Sequence, residues 1–257
     1  MKSLEQFYNF EEYDDPARYD EQNSGYKRDI PLLMKWAEKQ NGPIIDLACG
    51  TGRATFPLAR AGYDVTGIDV HQGMLEEAKR KAHNEDNINW LLEDCANLNL
   101  HRKVDFIFTV GHSFQHFLTN DSQDGLLASV SRHLNEGGVF IFGPRFPNAY
   151  ELISEPEEEI DHSYMDEATG HTVDVYHLSR YDTLSQIQYN TKIRRYKNQH
   201  EEVVHEGKSL IALRFVFPKE MERLLEKHGL SILHVYGDWE EGPISAASSE
   251  MIYVCKK

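Results

Sequence analysis

The chain has 257 residues, 40% of them apolar, and its 42 acidic residues against 27 lysines and arginines give a net charge of −15. That composition supports a sizeable core and repels nucleic-acid backbones at long range. No apolar run is long enough to span a membrane, the N-terminal stretch turns acidic too early for a signal peptide, and Cys49, Cys95 and Cys255 lack metal or disulfide spacing, which together suit a cytoplasmic protein without a metal.

Residues 1–26 begin the chain as a flap, dense in aromatics (Phe7, Tyr8, Phe10, Tyr13, Tyr19, Tyr26) among acids. Such a segment is expected to close over a ligand or to dock its rings on the domain. From Lys27 to Lys39 the apolar spacing predicts a helix, stopped by Asn41-Gly42-Pro43.

Residues 43–55 organise the rest. A short apolar run, Pro43-Ile44-Ile45-Asp46-Leu47, leads into Ala48-Cys49-Gly50-Thr51-Gly52 and then a helical pattern. This is strand, tight turn, helix, the first unit of a doubly wound α/β fold. Glycine is expected in the turn so that a ligand can lie against bare backbone. A pyrophosphate turn wants a third glycine where Thr55 stands, and Asp46 at the strand end would repel a phosphate and suit an ammonium. Asp64–Asp69 predicts strand two, and Asp69, seventeen residues beyond Gly52, stands where an acid can accept from ribose hydroxyls. A helix starts near Met74, and Ile88–Leu92 predicts strand three, ending in Glu93-Asp94-Cys95.

Val104–Val110 reads as a fully buried parallel strand that opens into Gly111-His112-Ser113-Phe114-Gln115-His116-Phe117. Ligands of open α/β sheets sit beyond the carboxyl ends of the strands. His112 and His116 matter there because imidazole titrates near neutrality. A helix over 121–134 ends at Gly137-Gly138, and strand five covers 139–142. Arg145, in the stiff loop Gly143-Pro144-Arg145-Phe146-Pro147, either clamps an anionic group of a substrate or pairs with the acidic flap.

Residues 154–167 look like an acidic loop, and three alternating runs follow at 171–182, 185–196 and 202–217. Period two predicts antiparallel strands, hence an inserted sheet over 151–216 serving as lid or substrate domain. Its basic run, Lys192–Lys197, is the solvated face of a strand. Phe217–Leu230 predicts a helix, and 231–237 with 249–255 a final hairpin whose last strand is antiparallel.

Asp46-Leu47-Ala48-Cys49-Gly50-Thr51-Gly52, the acid at 69, the segment 71–79 and the terminal hairpin resemble the class I S-adenosylmethionine (SAM)-dependent methyltransferases over about residues 26–142 and 217–256. The inserted sheet resembles their β-lid subgroup, which methylates N or O of small molecules, sugars and amino compounds among them. The resemblance implies a Rossmann-like sheet of seven strands, with Asp46, Gly50 and Gly52 on the methionine side of SAM. Asp69 falls to ribose, and Met74, Asp94 and Cys95 to adenine, with Ala48, Val70 and Val110 as further cofactor contacts. It places the acceptor near His112 and Arg145, with His116 as general base and Tyr13 or Tyr19 orienting the acceptor. Residues 27–150 and 217–257 form the SAM-binding domain in this reading, and the long strands of the insert favour a homodimer. Three other readings stay open: an NAD(P) oxidoreductase, a SAM-binding protein that engages a protein partner without transfer, and a methyltransferase of a basic macromolecule.

Overall fold

The computed structural model describes residues 9–40, 42–83, 87–153, 156–167 and 169–257; Phe7 and Tyr8 of the expected flap lie outside them. Contacts divide the chain into two units, residues 13–148 with 215–257, and residues 9–12 with 149–214.

The larger unit is built on a sheet of seven strands: β1 (Ile44–Leu47), β2 (Val65–Asp69), β3 (Ile88–Leu92), β4 (Val104–Thr109), β5 (Leu134–Phe142), β10 (Ser231–Tyr236) and β11 (Ile252–Lys256). Their order is β3-β2-β1-β4-β5-β11-β10. β1 to β5 pair in parallel, and β11 runs antiparallel to both β5 and β10. The order reverses between β1 and β4, the switch point at which such sheets bind ligands. Strand alternation sorts the apolar residues onto two faces. Ile45 and Leu47 pack with α5 (Asn120–His133) and α7 (Pro218–Lys227), whereas Ile44 packs with α2 (Ile30–Gln40) and α3 (Thr55–Arg60). α1 (Pro16–Asn23) begins with Asp15 accepting the Arg18 N–H and Pro16 in the first turn. α4 (Gln72–Lys81) follows β2.

The smaller unit holds α6 (Ala149–Ile153) and a sheet in the order β6-β7-β8-β9, formed by Glu159–Asp166, His171–Asp182, Ile187–Lys197 and Val203–Arg214, all antiparallel. The expected acidic loop over 154–167 is corrected here, since most of it is strand β6. An edge strand that is polar and exposed on both faces shows no alternation to read, and its charges guard the open edge. Residues 9–12 serve the opposite edge with side chains. Asn9 Nδ2 donates to Ala212 O (2.9 Å) and Asn9 Oδ1 accepts the Ala212 N–H (2.7 Å), while Glu11 accepts the Leu210 N–H (2.7 Å). Glu12 accepts from Lys192 Nζ at 2.6 Å and from the Ser209 hydroxyl.

Two further boundaries shift. The expected flap of residues 1–26 is divided at 12/13, and its second part is α1. Strand five starts at Leu134 rather than 139: Leu134 pairs with Val104, the register then shifts through a bulge that holds Gly137 at φ +84°, with Asn135 Nδ2 bonded to Asp105 at 2.8 Å, and pairing resumes at Val139. Among the described residues no helix is long and apolar enough to cross a membrane.

Candidate active site

The turn after β1 winds through three left-handed residues, Ala48 (φ +55°), Gly50 (φ +57°) and Gly52 (φ +83°). Glycine takes this conformation freely, but Ala48 is strained there. Asp69, at the end of β2, fastens the turn: its Oδ2 accepts the Gly50 N–H and its Oδ1 the His71 N–H, both at 2.8 Å. Burial raises the Asp69 carboxyl above its usual range, opposed by those two N–H groups.

The expectation that the glycines leave room for a ligand needs qualification at Gly52. A Cβ there would lie 2.7 Å from Trp90 and 2.9 Å from Phe56, so its glycine serves internal packing. At Gly50 the near neighbour is the Met74 methyl, 3.2 Å from an ideal Cβ, and Met74 is buried beneath the turn.

Asp46 shares its face of β1 with Ile44 and therefore points under α3, where its Oδ2 accepts from the Thr55 hydroxyl at 2.6 Å. It is fully buried, and its Oδ1 has no hydrogen-bond partner. Burial pushes its carboxyl up to about 8, against the pull of Thr55 and Arg53. Asp94, exposed at the end of β3, accepts from the Ala96 N–H (2.9 Å) and the Asn97 side chain (2.8 Å). Cys95 is buried, which raises its thiol to about 12, and burial likewise raises that of Cys49. Neither is a nucleophile at neutral pH. Val70 and Leu92, beside Asp69 and Asp94, are left 52% and 51% exposed, an uncovered apolar surface at neighbouring strand ends.

A pocket opens where the sheet order reverses. Ala48 to Thr51, Arg53 and Ala54 line one side; Val110 to Ser113, Gly143, Trp239 and Glu250 line another; and Tyr19, Asp20 and Tyr26 come from α1 and just beyond it. Asp20 accepts from the Thr51 hydroxyl (2.6 Å) and from Lys81 Nζ (2.8 Å). Burial acts against its charge, but Lys81 and Thr51 hold it below the ordinary carboxylate range. Arg53, which the sequence reading passed over, is bound bidentately by the buried Asp29 (2.8 and 2.5 Å) and donates to the Tyr26 carbonyl (2.9 Å). The Val110 carbonyl accepts from the Ser113 hydroxyl at 2.7 Å.

Two histidines follow β4, His112 and the half-buried His116 in the one-turn helix Ser113–His116. His116 Nε2 and the Tyr13 hydroxyl are hydrogen bonded at 2.9 Å, and Tyr13 meets Tyr19 edge-on with ring centroids 5.3 Å apart. Burial pushes the His116 imidazole down to about 4, and the neighbouring His112 adds to this. Of these residues, Tyr19 and His112 line this pocket, and Tyr13 touches both Tyr19 and His116. His112 Nε2 lies 2.7 Å from Glu250 Oε1. Glu250 was invisible in the sequence: it lies in the final hairpin, outside any motif. Arg145 sits with its guanidinium 5.8 Å from the Phe215 ring centroid, and its N–H donates to Gln115 at 3.3 Å. Among the described residues no cluster of His, Cys, Asp or Glu could hold a metal ion.

An acid on β2, a left-handed turn after β1, a bare apolar step at β2 and β3 and an unpartnered buried carboxyl oxygen fit a nucleoside joined to an amino acid. The fold, together with the similarities that follow, supports a SAM-dependent methyltransferase. Residues 44–138, from β1 into β5, match the family model described as "Methyltransferase domain". YqeM of Bacillus subtilis (strain 168), named as a methyltransferase, is 25% identical over 87% of this chain and 88% of its own. Glycine/sarcosine N-methyltransferase of Halorhodospira halochloris is 26% identical over 83% of this chain and 75% of its own. Among solved structures, a SAM-dependent methyltransferase from Clostridium acetobutylicum ATCC 824 aligns with TM-score 0.75 at 23% identity, over 93% of this chain and 96% of that one. CalS10, an amino pentose methyltransferase from Micromonospora echinaspora, aligns with TM-score 0.70 at 14% identity, over 93% and 95%.

Proposed function

We propose that the protein methylates N or O of a small-molecule acceptor. The observation that carries this reading is the pocket itself. It is lined by the turn after β1 and also by His112, Trp239 and Glu250, and we assign it to both the cofactor's methionine end and a small acceptor. The names of two relatives, a glycine/sarcosine N-methyltransferase and an amino pentose methyltransferase, support it.

In this reading Asp46, Ala48, Gly50, Gly52 and Val110 hold the methionine part of SAM, Asp69 and Val70 the ribose, and Met74, Asp94 and Cys95 the adenine. Bound SAM supplies an activated methyl group, so the protein's task is to hold the acceptor in line and free its lone pair. Tyr19 orients the acceptor from the pocket wall, and the Tyr13–His116 pair fixes the Tyr19 ring. Arg145 is assigned to an anionic group on the acceptor.

Calorimetry with SAM, S-adenosylhomocysteine and an NADH control tests the cofactor, with tight binding of the first two expected. Labelled SAM offered to pooled small amines and hydroxyl compounds, beside a basic protein such as histone, tests the acceptor class. Label in the histone alone would overturn the small-molecule reading.

A further inference from the structure

Glu250 has no evident structural task. It comes from a hairpin 138 residues away in sequence, and its side chain is 18% exposed. It nevertheless meets His112 in a short hydrogen bond, 2.7 Å from Nε2. His112 is held at φ +59°, a backbone state that a non-glycine residue adopts only under constraint. Both anchors are fixed. The Ser113 hydroxyl ties down the Val110 carbonyl, and Glu250 pairs with Arg145 in an antiparallel bridge while the Met251 N–H bonds the Pro144 carbonyl at 2.9 Å. The site thus spends backbone strain to bring an imidazole to a carboxylate at the pocket wall.

The consequence is a defined tautomer. A carboxylate only accepts, so Nε2 carries the proton and donates it to Glu250, which leaves Nδ1 with a lone pair. Nδ1 makes no hydrogen bond recorded to any described residue. Charged and titratable groups near the pair include Arg145, across the backbone bridge from Glu250, His116, whose protonation His112 opposes, and the Tyr26 phenol, which burial and the Glu250 charge push up to about 12. Arg53, the guanidinium among the described pocket-lining residues, is already taken up by Asp29.

Such a pocket attracts a cation and can remove its proton. The geometry points to a small alkylammonium as the acceptor, deprotonated by His112 Nδ1 with Glu250 as the positioning residue. This rests on the methyltransferase reading above and narrows it from N or O to an amine. An aliphatic ammonium titrates near pH 10, so at pH 7 only about one molecule in a thousand has a free lone pair. In the step assigned to His112, an N–H bond of the ammonium breaks and its electron pair stays on nitrogen. The proton forms a bond to Nδ1, and the Glu250 carboxylate balances the imidazolium until the proton passes to solvent.

The test uses the full chain loaded with S-adenosylhomocysteine. Calorimetry comes first: if the wild type fails to bind this ligand, the cofactor reading itself falls, separately from the dyad. Nitrogen NMR of the histidine rings, assigned with His112→Gln, then reports the tautomer, and protonated Nε2 with bare Nδ1 is expected. Ethylammonium is titrated next, with ethanol as the neutral match. Ethylammonium should move the His112 Nδ1 signal and bind about fivefold more weakly to Glu250→Gln, while ethanol leaves the signal in place. A proton on Nδ1, equal responses to both probes, or undiminished ethylammonium binding by Glu250→Gln would each overturn the proposal. The tautomer is read on the wild type, so a variant that misfolded would not shield the idea.

Discussion

The Trp90 indole lies directly over Gly67 on the neighbouring strand, where a Cβ would come within 2.6 Å of the ring. The same indole reaches the turn after β1, 2.7 Å from the Cβ position of Gly52, and Phe56 meets its edge with centroids 5.7 Å apart. Two glycines therefore answer to one side chain, for separable reasons. Gly67→Ala should cost about 1–3 kcal/mol by overpacking, and Trp90→Leu in the same chain should recover most of it. Gly52→Ala should keep a residual penalty of about 1–2 kcal/mol beside Trp90→Leu, because φ +83° remains. Urea denaturation of the three single and two double variants measures both cycles, and equal recovery at the two positions would refute the distinction.

Ala48 offers the reverse experiment. It sits at φ +55° with its β-carbon intact. Ala48→Gly should raise stability by up to about 1 kcal/mol, the relief of strain being partly offset by a more flexible unfolded chain. A lower urea midpoint would show that the methyl group packs better than the backbone suffers.

Asp46 makes stability depend on pH in an unusual sense. Its folded-state carboxyl titrates near 8, above the ordinary unfolded value near 4. The contribution is fully present below about pH 4 and is lost as pH rises towards 8, by at most about 1.4 kcal/mol per pH unit. Asp46→Asn removes this titration. Relative to wild type, the ligand-free variant should gain ground steadily from pH 5 to 8.5. Parallel stability curves for the two proteins would mean that the carboxyl is not held neutral.

His116 acts with the opposite sign. Its imidazole titrates near 4 in the fold against about 6.5 unfolded, so its contribution is complete above 6.5 and lost as pH falls towards 4. In the Asp46→Asn background Asp69, which burial also raises, still acts against this acid limb, and His116→Gln should flatten the limb relative to that background. The size will be below the full shift, since the ring is only half-buried. Binding of S-adenosylhomocysteine should stay near normal in His116→Gln while turnover falls; lost binding would count against a role confined to the acceptor side.

What the sequence disclosed was whatever lies close together along it. The strand and turn over 44–52 were readable because an apolar run, an acid and two glycines occupy nine consecutive positions, and the hairpin at the end because an acidic turn separates two strand-like runs. β6 was hidden because an edge strand exposed on both faces carries no period. Glu250 was hidden because its meaning depends on His112, which only folding brings near. The sequence put His116 ahead of His112 as the base. Both follow β4; His112 lines the pocket and meets Glu250, while His116 is hydrogen bonded to Tyr13, contacts that depend on the fold.

The sheet of the smaller unit reads in sequence as a cassette dropped between β5 and α7, yet residues 9–12 are stitched to its last strand by Asn9, Glu11 and Glu12. The unit of inheritance is therefore discontinuous. A transplant of residues 149–214 into a relative would leave behind the partners of Ala212, Leu210 and Lys192, exposing a raw sheet edge. Exchanging this module means exchanging two pieces of chain together, and any variation in acceptor preference that travels with it should be found written at the N-terminus as well.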